Sequence, residues 1–271
     1  MQPSAYDRFS SHDGISLAYR TAGRGRPVVL LHGASVNSTR NFATHFVDDG
    51  AGGTVPSTGP TVESALVESG CQVALLDLRG HGHSDKPHDA ACYSMDAFAD
   101  DVRAFMDHLE WTEAAVVGYS FGAWIAERLL GDPWLSRAAL CGIGSSQVEG
   151  EDPEFDEIWT TASKCFLEGC WDDHPDFAPM RAQAEIAGAD FVALGLVLGA
   201  LRAMPAQILK EVEVQVLILN SGSDQGASDE WDLTPFIPGA QRAVAGDSHH
   251  RTAPSDPLFH AELVRFLAPK A

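Results

Sequence analysis

The stretch of sequence that decides the fold reads VVGYSFGA and occupies residues 116–123. It begins with a short apolar run typical of a buried strand, and then a serine stands between two glycines in the order Gly-x-Ser-x-Gly. A serine in this setting lies on a sharp turn between a strand and a helix, where only small residues fit beside it. Gly118, Gly122 and Ala123 supply those small residues. The stretch therefore predicts a strand, a tight turn at Ser120 and a helix.

Ser120 is the candidate nucleophile of this chain. The predicted turn places its hydroxyl beyond the carboxyl edge of the sheet and at the start of a helix, where free N–H groups favour negative charge. The N–H of Phe121 would then face a developing oxyanion. A second buried strand ends in His-Gly-Ala-Ser at residues 32–35, from which the Ala34 N–H can reach the same oxyanion. These residues together predict the two amide donors that acyl transfer needs.

Short apolar runs recur along the chain and alternate with helical stretches, a pattern that predicts a mostly parallel, twisted sheet with helices on both faces, and hence the α/β class. Residues 6–10 and 15–21 are predicted to form an exposed antiparallel hairpin in front of this sheet. The predicted buried strands cover residues 27–31, 73–76, 114–117, 138–140 and 214–219. The predicted helices cover residues 95–110 behind a Ser94 cap, residues 120–130, and a C-terminal segment with Phe259, Leu263, Phe266 and Leu267 on one face.

Residues 147–207 interrupt this alternation with helical segments that lack strand signals. We interpret them as a helical cap inserted into a core made of residues 1–146 and 208–271, which form one domain. The cap's aromatic and aliphatic side chains predict an apolar chamber over Ser120 with few polar contacts. Residues 48–60, rich in Gly, Thr, Ser and Pro, are predicted to form a mobile surface loop, with a gate beside the site as the alternative.

Three motifs are similar to those of the alpha/beta-hydrolase superfamily: LLHG at residues 30–33, DLRGHGHSDKP at residues 77–87 and GYSFGA at residues 118–123. The resemblance extends over nearly the whole chain. It implies the alpha/beta-hydrolase fold and a catalytic triad in the order serine, acid, histidine. The strand at residues 214–219 runs into Asn-Ser-Gly-Ser-Asp, which puts Asp224 in the position of the acid.

For both the acid and the histidine of the triad, other candidate residues lie close by in the sequence. Asp229 and Asp232 lie farther from the strand end than Asp224 does. For the histidine, counting forward from Gly246 favours His249, whereas counting back from the last helix favours His250. The run His-Arg-Thr-Ala at residues 250–253 also resembles a variant seen in the family, so we assign the base to His250 and keep His249 as the alternative.

These residues predict a carboxylesterase-like serine hydrolase that needs no cofactor. The acidic start of the cap disfavours strongly anionic substrates, so we expect a small to medium, neutral, hydrophobic ester, thioester or lactone. One alternative keeps the fold but uses it for lyase, cyclase or transferase chemistry or as a ligand-binding module. A remote alternative is a metal-dependent hydrolase that uses His81, His83 and Asp85.

The composition limits the range of partners. The chain carries 38 acidic and 18 basic side chains, a formal charge of −20 that repels nucleic acid and anionic membrane surfaces. Neither a spanning apolar run nor a signal-like N-terminus is apparent, so we expect a cytoplasmic protein whose partner is a small-molecule substrate. The five cysteines are scattered and are expected to be reduced thiols. The sequence leaves the oligomeric state open.

Overall fold

The computed structural model describes residues 6–50 and 53–267, in which strands and helices alternate as the sequence predicts. Five of the ten strands in these residues coincide with the short apolar runs of the sequence, because such runs can be covered on both faces. The strands are β1 (Asp7–Ser10), β2 (Ser16–Gly23), β3 (Arg26–Leu31), β4 (His45–Asp48), β5 (Thr54–Ser57), β6 (Cys71–Leu76), β7 (Ala114–Tyr119), β8 (Leu135–Cys141), β9 (Gln215–Asn220) and β10 (Gln241–Val244).

The helices lie on both faces of the sheet and in the connection between β8 and β9. Helix α3 begins behind Ser94, whose side chain accepts a hydrogen bond from the Ala97 N–H at 3.0 Å. The helices are α1 (Ser38–Phe42), α2 (Val62–Glu68), α3 (Met95–His108), α4 (Phe121–Glu127), α5 (Phe155–Glu168), α6 (Ala178–Ala187), α7 (Phe191–Gly199), α8 (Ala206–Lys210) and α9 (Pro257–Leu267).

Eight strands form the main sheet in the order β1-β2-β6-β3-β7-β8-β9-β10. The pairs β1–β2 and β2–β6 are antiparallel, and every other neighbouring pair in this sheet is parallel. This arrangement is the alpha/beta-hydrolase fold and confirms the predicted fold class. Because the parallel strands all end at the same edge, the turns that follow β3, β7 and β9 are brought together there.

Two hydrophobic cores hold the sheet between its helices. On one face, Phe98, Val102 and Phe105 of α3 are fully buried against the strands. On the other face, Leu66 of α2 and Leu263 of α9 are fully buried in a second cluster. The apolar stripe predicted for the C-terminal helix therefore packs where its 3.6-residue periodicity places it.

Residues 147–207, which we call the helical insertion, contain α5 to α7 and the start of α8. The insertion leaves and re-enters the core at one point, where Val148 and Met204 form a parallel backbone bridge. The Glu149 N–H donates to the Met204 carbonyl at 2.8 Å, and the Met204 N–H donates to the Gln147 carbonyl at 2.6 Å. The division of the chain into a core and a cap domain remains a prediction.

Two expectations from the sequence need correction, and one strand was not predicted. The predicted N-terminal hairpin is present, but β2 is not exposed, because it pairs with both β1 and β6 and buries Leu17 and Ala18 completely. The predicted mobile loop at residues 48–60 contains part of a two-stranded antiparallel sheet, β4–β5. Strand β10 was not predicted, because its four residues are only partly buried and carry no apolar run.

Across residues 6–50 and 53–267, no helix is both long enough and apolar enough to cross a membrane.

Candidate functional site

Ser120 lies on a strained turn at the carboxyl end of β7. Its backbone has φ 53° and ψ −116°, a conformation that residues with a Cβ rarely adopt. The neighbouring glycines explain why the strain persists. A Cβ on Gly118 would lie 2.3 Å from the Gly122 carbonyl oxygen, and a Cβ on Gly122 would lie 2.0 Å from the Leu31 carbonyl oxygen. Strand β7, helix α4 and strand β3 thus approach closely enough to hold Ser120 in place.

His32 organises the loop that faces this turn. The Leu78 N–H donates to His32 Nε2 at 3.1 Å, so Nε2 carries no proton and Nδ1–H donates to the Gly33 carbonyl at 2.8 Å. Burial, and secondarily the neighbouring His81, lower the pKa of His32 to about 3. The ring is therefore a neutral imidazole with a fixed tautomer, and it holds the Gly33 carbonyl in one direction.

The orientation of the Gly33 carbonyl determines where the next amide points. In a trans peptide the C=O and the following N–H point in opposite directions, and the described chain contains no cis peptide bond. Since the Gly33 carbonyl points at His32, the Ala34 N–H points away from that ring. It donates to no acceptor within the described residues. The Phe121 N–H, at the first position of α4, has no acceptor within its own helix. Ala34 and Phe121 line the same cavity as Ser120.

His250 and Asp224 are hydrogen bonded to each other. His250 Nδ1 lies 2.8 Å from Asp224 Oδ2, and the Asp224 side chain, just beyond β9, is only 7% exposed. Because the carboxylate is the acceptor, Nδ1 carries the proton and Nε2 is left as a free base. The Tyr119 hydroxyl donates to the His250 carbonyl. Burial and, next, the charge of Asp224 raise the pKa of Tyr119, so the hydroxyl keeps its proton.

The rival residues make other contacts. His249 Nε2 lies 2.5 Å from Asp48 Oδ1 at the end of β4, and its Nδ1 accepts the Arg251 N–H at 3.1 Å. Asp229 pairs with Arg242 at 2.8 Å. Asp232 accepts the Thr234 hydroxyl at 2.7 Å. The structure therefore brings Asp224 to His250 and leaves the alternatives with partners of their own. Sequence spacing offered no signal for Tyr119 as the residue that anchors the histidine loop.

A cavity of about 450 Å³ opens over Ser120. Ser35 Oγ lies 2.9 Å from Gln183 Oε1 and links the Ala34 loop to α6 of the helical insertion. The wall is more polar than the sequence of the insertion predicts, because many of its residues come from loops of the core. The residues that line the cavity are Gly33, Ala34, Ser35, Val36, Arg40, Asn41, Phe46, Thr54, Tyr119, Ser120, Phe121, Trp124, Trp159, Asp176, Phe177, Pro179, Met180, Gln183, Ser223, His249, His250, Arg251, Pro254 and Ser255.

Comparison with known proteins agrees with the sheet topology. Residues 26–139 match a family model described as the alpha/beta hydrolase fold. The chain has the alpha/beta-hydrolase fold. Its resemblance to solved structures of this fold extends over almost its full length. A hydrolase from Pseudomonas aeruginosa PA01 superposes with a TM-score of 0.76 at 18% identity and covers 99% of this chain and 100% of its own.

Two further comparisons show how distant this protein is in sequence from proteins that resemble it. A thermophilic esterase from Thermogutta terrifontis superposes with a TM-score of 0.72 at 20% identity, covering 98% of this chain and 100% of the esterase. The non-heme chloroperoxidase CPO-A1 of Kitasatospora aureofaciens is 29% identical over 122 residues, which are 45% of this chain and 37% of that relative. The sequence match thus spans little more than a third of the chloroperoxidase, and the similar structures establish the fold alone.

The metal-hydrolase alternative finds no support in the positions of its three residues. His81 uses Nδ1 toward the Arg79 carbonyl at 3.0 Å and Nε2 toward the Ala34 carbonyl at 2.5 Å. Asp85 pairs with Arg8 at 2.6 Å. Within the described residues, His81, His83 and Asp85 do not converge as a set of ligands. His81 instead contacts the carbonyl of Ala34, and so helps His32 to fix the loop that contains Ala34.

A separate group of possible soft-metal ligands lies in the helical insertion. The ligand atoms of Cys165, Cys170 and His174 are all within 4.8 Å of one another, and the two sulfurs are 2.7 Å apart. Burial and the neighbouring Cys170 raise the pKa of Cys165 to about 12, so its thiol is protonated at neutral pH. None of the three residues lines the cavity over Ser120.

Proposed function

We propose that this protein is a serine hydrolase that cleaves a carboxylic ester, thioester or lactone of small to medium size. Ser120 is the nucleophile, His250 is the general base, Asp224 orients and stabilises the imidazole, and the amides of Ala34 and Phe121 form the oxyanion hole. The observation that carries the proposal is that Ser120, His250 and both amides line one cavity while Asp224 engages the far nitrogen of His250.

The reaction follows from these positions. His250 Nε2 takes the Ser120 proton as Oγ attacks the substrate carbonyl, and the two amides bind the negative charge that develops on its oxygen. His250 then gives the proton to the leaving group, which departs and leaves an acyl group on Ser120. A water molecule repeats the cycle, releases the acid and restores the serine. Asp224 keeps the imidazole in the tautomer that this sequence requires and stabilises its charged form.

The cavity wall supports a substrate with an apolar body. Trp124 of α4 and Trp159 of α5 pack edge to face with ring centroids 5.2 Å apart, and Phe177 and Met180 add apolar surface from the insertion. A thermophilic esterase has the same fold, so ester hydrolysis is a reaction that this fold can host. A serine at position 120 disfavours epoxide opening and halide removal, because related enzymes that carry out those reactions have aspartate at this turn. A ligand-binding module would require neither the strained serine nor the histidine–aspartate pair.

The experiment is a time course of p-nitrophenyl ester hydrolysis, with acyl chains of increasing length, for the wild type and Ser120→Ala. We expect the variant to lose at least about 10⁴-fold in kcat while keeping the wild-type urea unfolding midpoint, because a nucleophile contributes on that scale. Release by Ser120→Ala at the wild-type rate would refute the assignment. If neither protein releases nitrophenol above the uncatalysed rate, hydrolysis of simple esters is excluded, and the non-hydrolytic use of the fold becomes the better account.

A further inference from the structure

Arg40 is a cationic side chain on the wall of the cavity over Ser120. It belongs to α1, which follows the Ala34 loop, and it lines the cavity together with the proposed nucleophile. Its guanidinium carbon lies 4.2 Å from the centre of the Phe46 ring. The side chain is partly buried, and this burial lowers the pKa of Arg40, although a guanidinium still stays charged at any physiological pH. The cavity wall therefore carries a fixed positive charge.

The Arg40 guanidinium has no acidic partner. Over residues 6–50 and 53–267, no carboxylate oxygen lies within 4.0 Å of its nitrogens and no acceptor takes a hydrogen bond from them. Other arginines of this acidic chain do have such partners: Arg20 pairs with Glu63 at 2.5 Å, and Arg79 pairs with Asp101 at 2.6 Å. Burying part of a charge without hydrogen-bond acceptors is unfavourable unless an incoming group supplies them. The donors of Arg40 thus remain available to a molecule inside the cavity.

The wall of the cavity differs in charge from the rest of the protein. The chain has a formal charge of −20, yet Arg40 and Arg251 both line the cavity. Among the described residues of the lining, Asp176 is the single acid. Asp176 is exposed on the helical insertion, and its carboxylate is more than 4.0 Å from the Arg40 nitrogens. Solvent screens a charge in that position, so it does not neutralise the guanidinium.

We propose that Arg40 binds a carboxylate carried by the substrate, so that the substrate class is an ester, thioester or lactone with an anionic group away from the scissile carbonyl. This inference rests on the proposed function and narrows it. The stack on Phe46 limits the orientations of the guanidinium, and its planar fork matches the two oxygens of a carboxylate. The neutral substrate expected from the acidic sequence of the insertion is replaced by one whose charge is matched at Arg40.

The test compares two substrates of the same shape that differ in charge. Mono-p-nitrophenyl glutarate carries a free carboxylate, and p-nitrophenyl 5-methylhexanoate replaces that carboxylate by an isopropyl group. Both are measured with the wild type, Arg40→Gln and Arg40→Lys, and the spontaneous rate is subtracted with Ser120→Ala. Arg24→Gln is the matched control, because it removes one positive charge from an exposed turn outside the cavity.

We expect Arg40→Gln to lower kcat/KM for the glutarate about 10- to 100-fold and to change that for the neutral ester less than twofold, since hydrogen bonds to charged groups have effects of this size. Arg40→Lys should recover part of the loss because it restores the charge without the fork. Arg24→Gln should leave both substrates unchanged. An equal loss on both substrates in Arg40→Gln, or no preference of the wild type for the glutarate, would overturn the proposal.

A binding measurement separates this inference from the hydrolase assignment. Glutaranilic acid and 5-methylhexananilide are amide analogues of the two esters, and their affinities for the wild type and Arg40→Gln can be measured by calorimetry. If ester hydrolysis proves independent of Ser120 while glutaranilic acid still binds through Arg40, the hydrolase proposal fails and the carboxylate site stands. If Arg40→Gln binds glutaranilic acid as tightly as the wild type does, the carboxylate site fails whatever the esters show.

Discussion

Glu127 is a carboxyl group buried at the junction between α4 and the helical insertion, and its replacement by glutamine should change how stability depends on pH. Oε1 accepts a hydrogen bond from Gln147 Nε2 at 2.9 Å. Oε2 is buried and has no hydrogen-bond partner within the described residues. Burial raises the pKa of Glu127 from an ordinary 4.5 to about 8, against the smaller opposing effects of Gln147 and Arg128.

The size of the effect follows from that pKa difference. Between pH 4.5 and 8 the folded protein keeps a proton that the unfolded chain loses, so this contribution to stability is complete below pH 4.5 and is lost as pH rises through 8. The slope is at most about 1.4 kcal/mol per pH unit. From pH 5 to pH 8 the free energy of unfolding should fall by about 3 to 4 kcal/mol on account of Glu127 alone. Glutamine has nearly the same shape and no proton to lose, so the variant lacks this fall.

Urea unfolding of the wild type and Glu127→Gln at intervals from pH 5 to pH 8.5 measures the difference directly. Repulsion within a chain of formal charge −20 grows with pH in both proteins and cancels in the comparison. Glu68→Gln, at an exposed position, is the matched control and should keep the wild-type pH dependence. A constant difference between wild type and Glu127→Gln across this range would show that Glu127 is charged in the folded protein and would refute the reasoning.

Two further predictions concern the site and the turn beneath it. His250→Ala should lose between about 10⁴- and 10⁶-fold in kcat on p-nitrophenyl esters, whereas His249→Ala, whose ring contacts Asp48, should stay within about tenfold of the wild type. The reverse ranking would move the base to His249. Gly122→Ala should reduce the free energy of unfolding by at least about 3 kcal/mol, because its Cβ would lie 2.0 Å from the Leu31 carbonyl oxygen. Gly131→Ala is its control, since a Cβ there has no neighbour within 4 Å, and equal urea midpoints for the two variants would contradict the close packing at Gly122.

The fold could be predicted from the sequence because the central strands of the main sheet are short apolar runs and the turn at Ser120 has a strict local requirement for small residues. Each end of β3, β7 and β9 lies within about two residues of the predicted end. Strands that depend on their neighbours were missed. The residues of β10 are partly exposed and join the sheet through parallel pairing with β9 alone, so no run of apolar residues identifies them.

The site could be predicted only where chain order fixes it. Ser120 directly follows the buried strand β7, and Asp224 follows β9 after a three-residue turn, where the resemblance to the family places the acid. Counting residues could not separate His249 from His250, because adjacent side chains point in different directions and only the location of Asp224 distinguishes them. Arg40 gave no signal at all. Its importance depends on how α1 is placed beside the cavity and on the absence of a nearby acid in the described chain, which are properties of the folded molecule.

The two ends of the helical insertion lie side by side, and this arrangement affects how the protein can change during evolution. Val148 and Met204 are paired through their backbones, so the insertion is attached to the core as a closed loop whose two ends are adjacent. Lengthening or replacing such a loop adds little to its closure entropy, since that quantity grows only slowly with the number of residues. Ser120, Asp224 and His250 all lie outside it. Selection can therefore exchange the insertion and change the range of substrates while the residues proposed to carry out the chemistry are inherited unaltered.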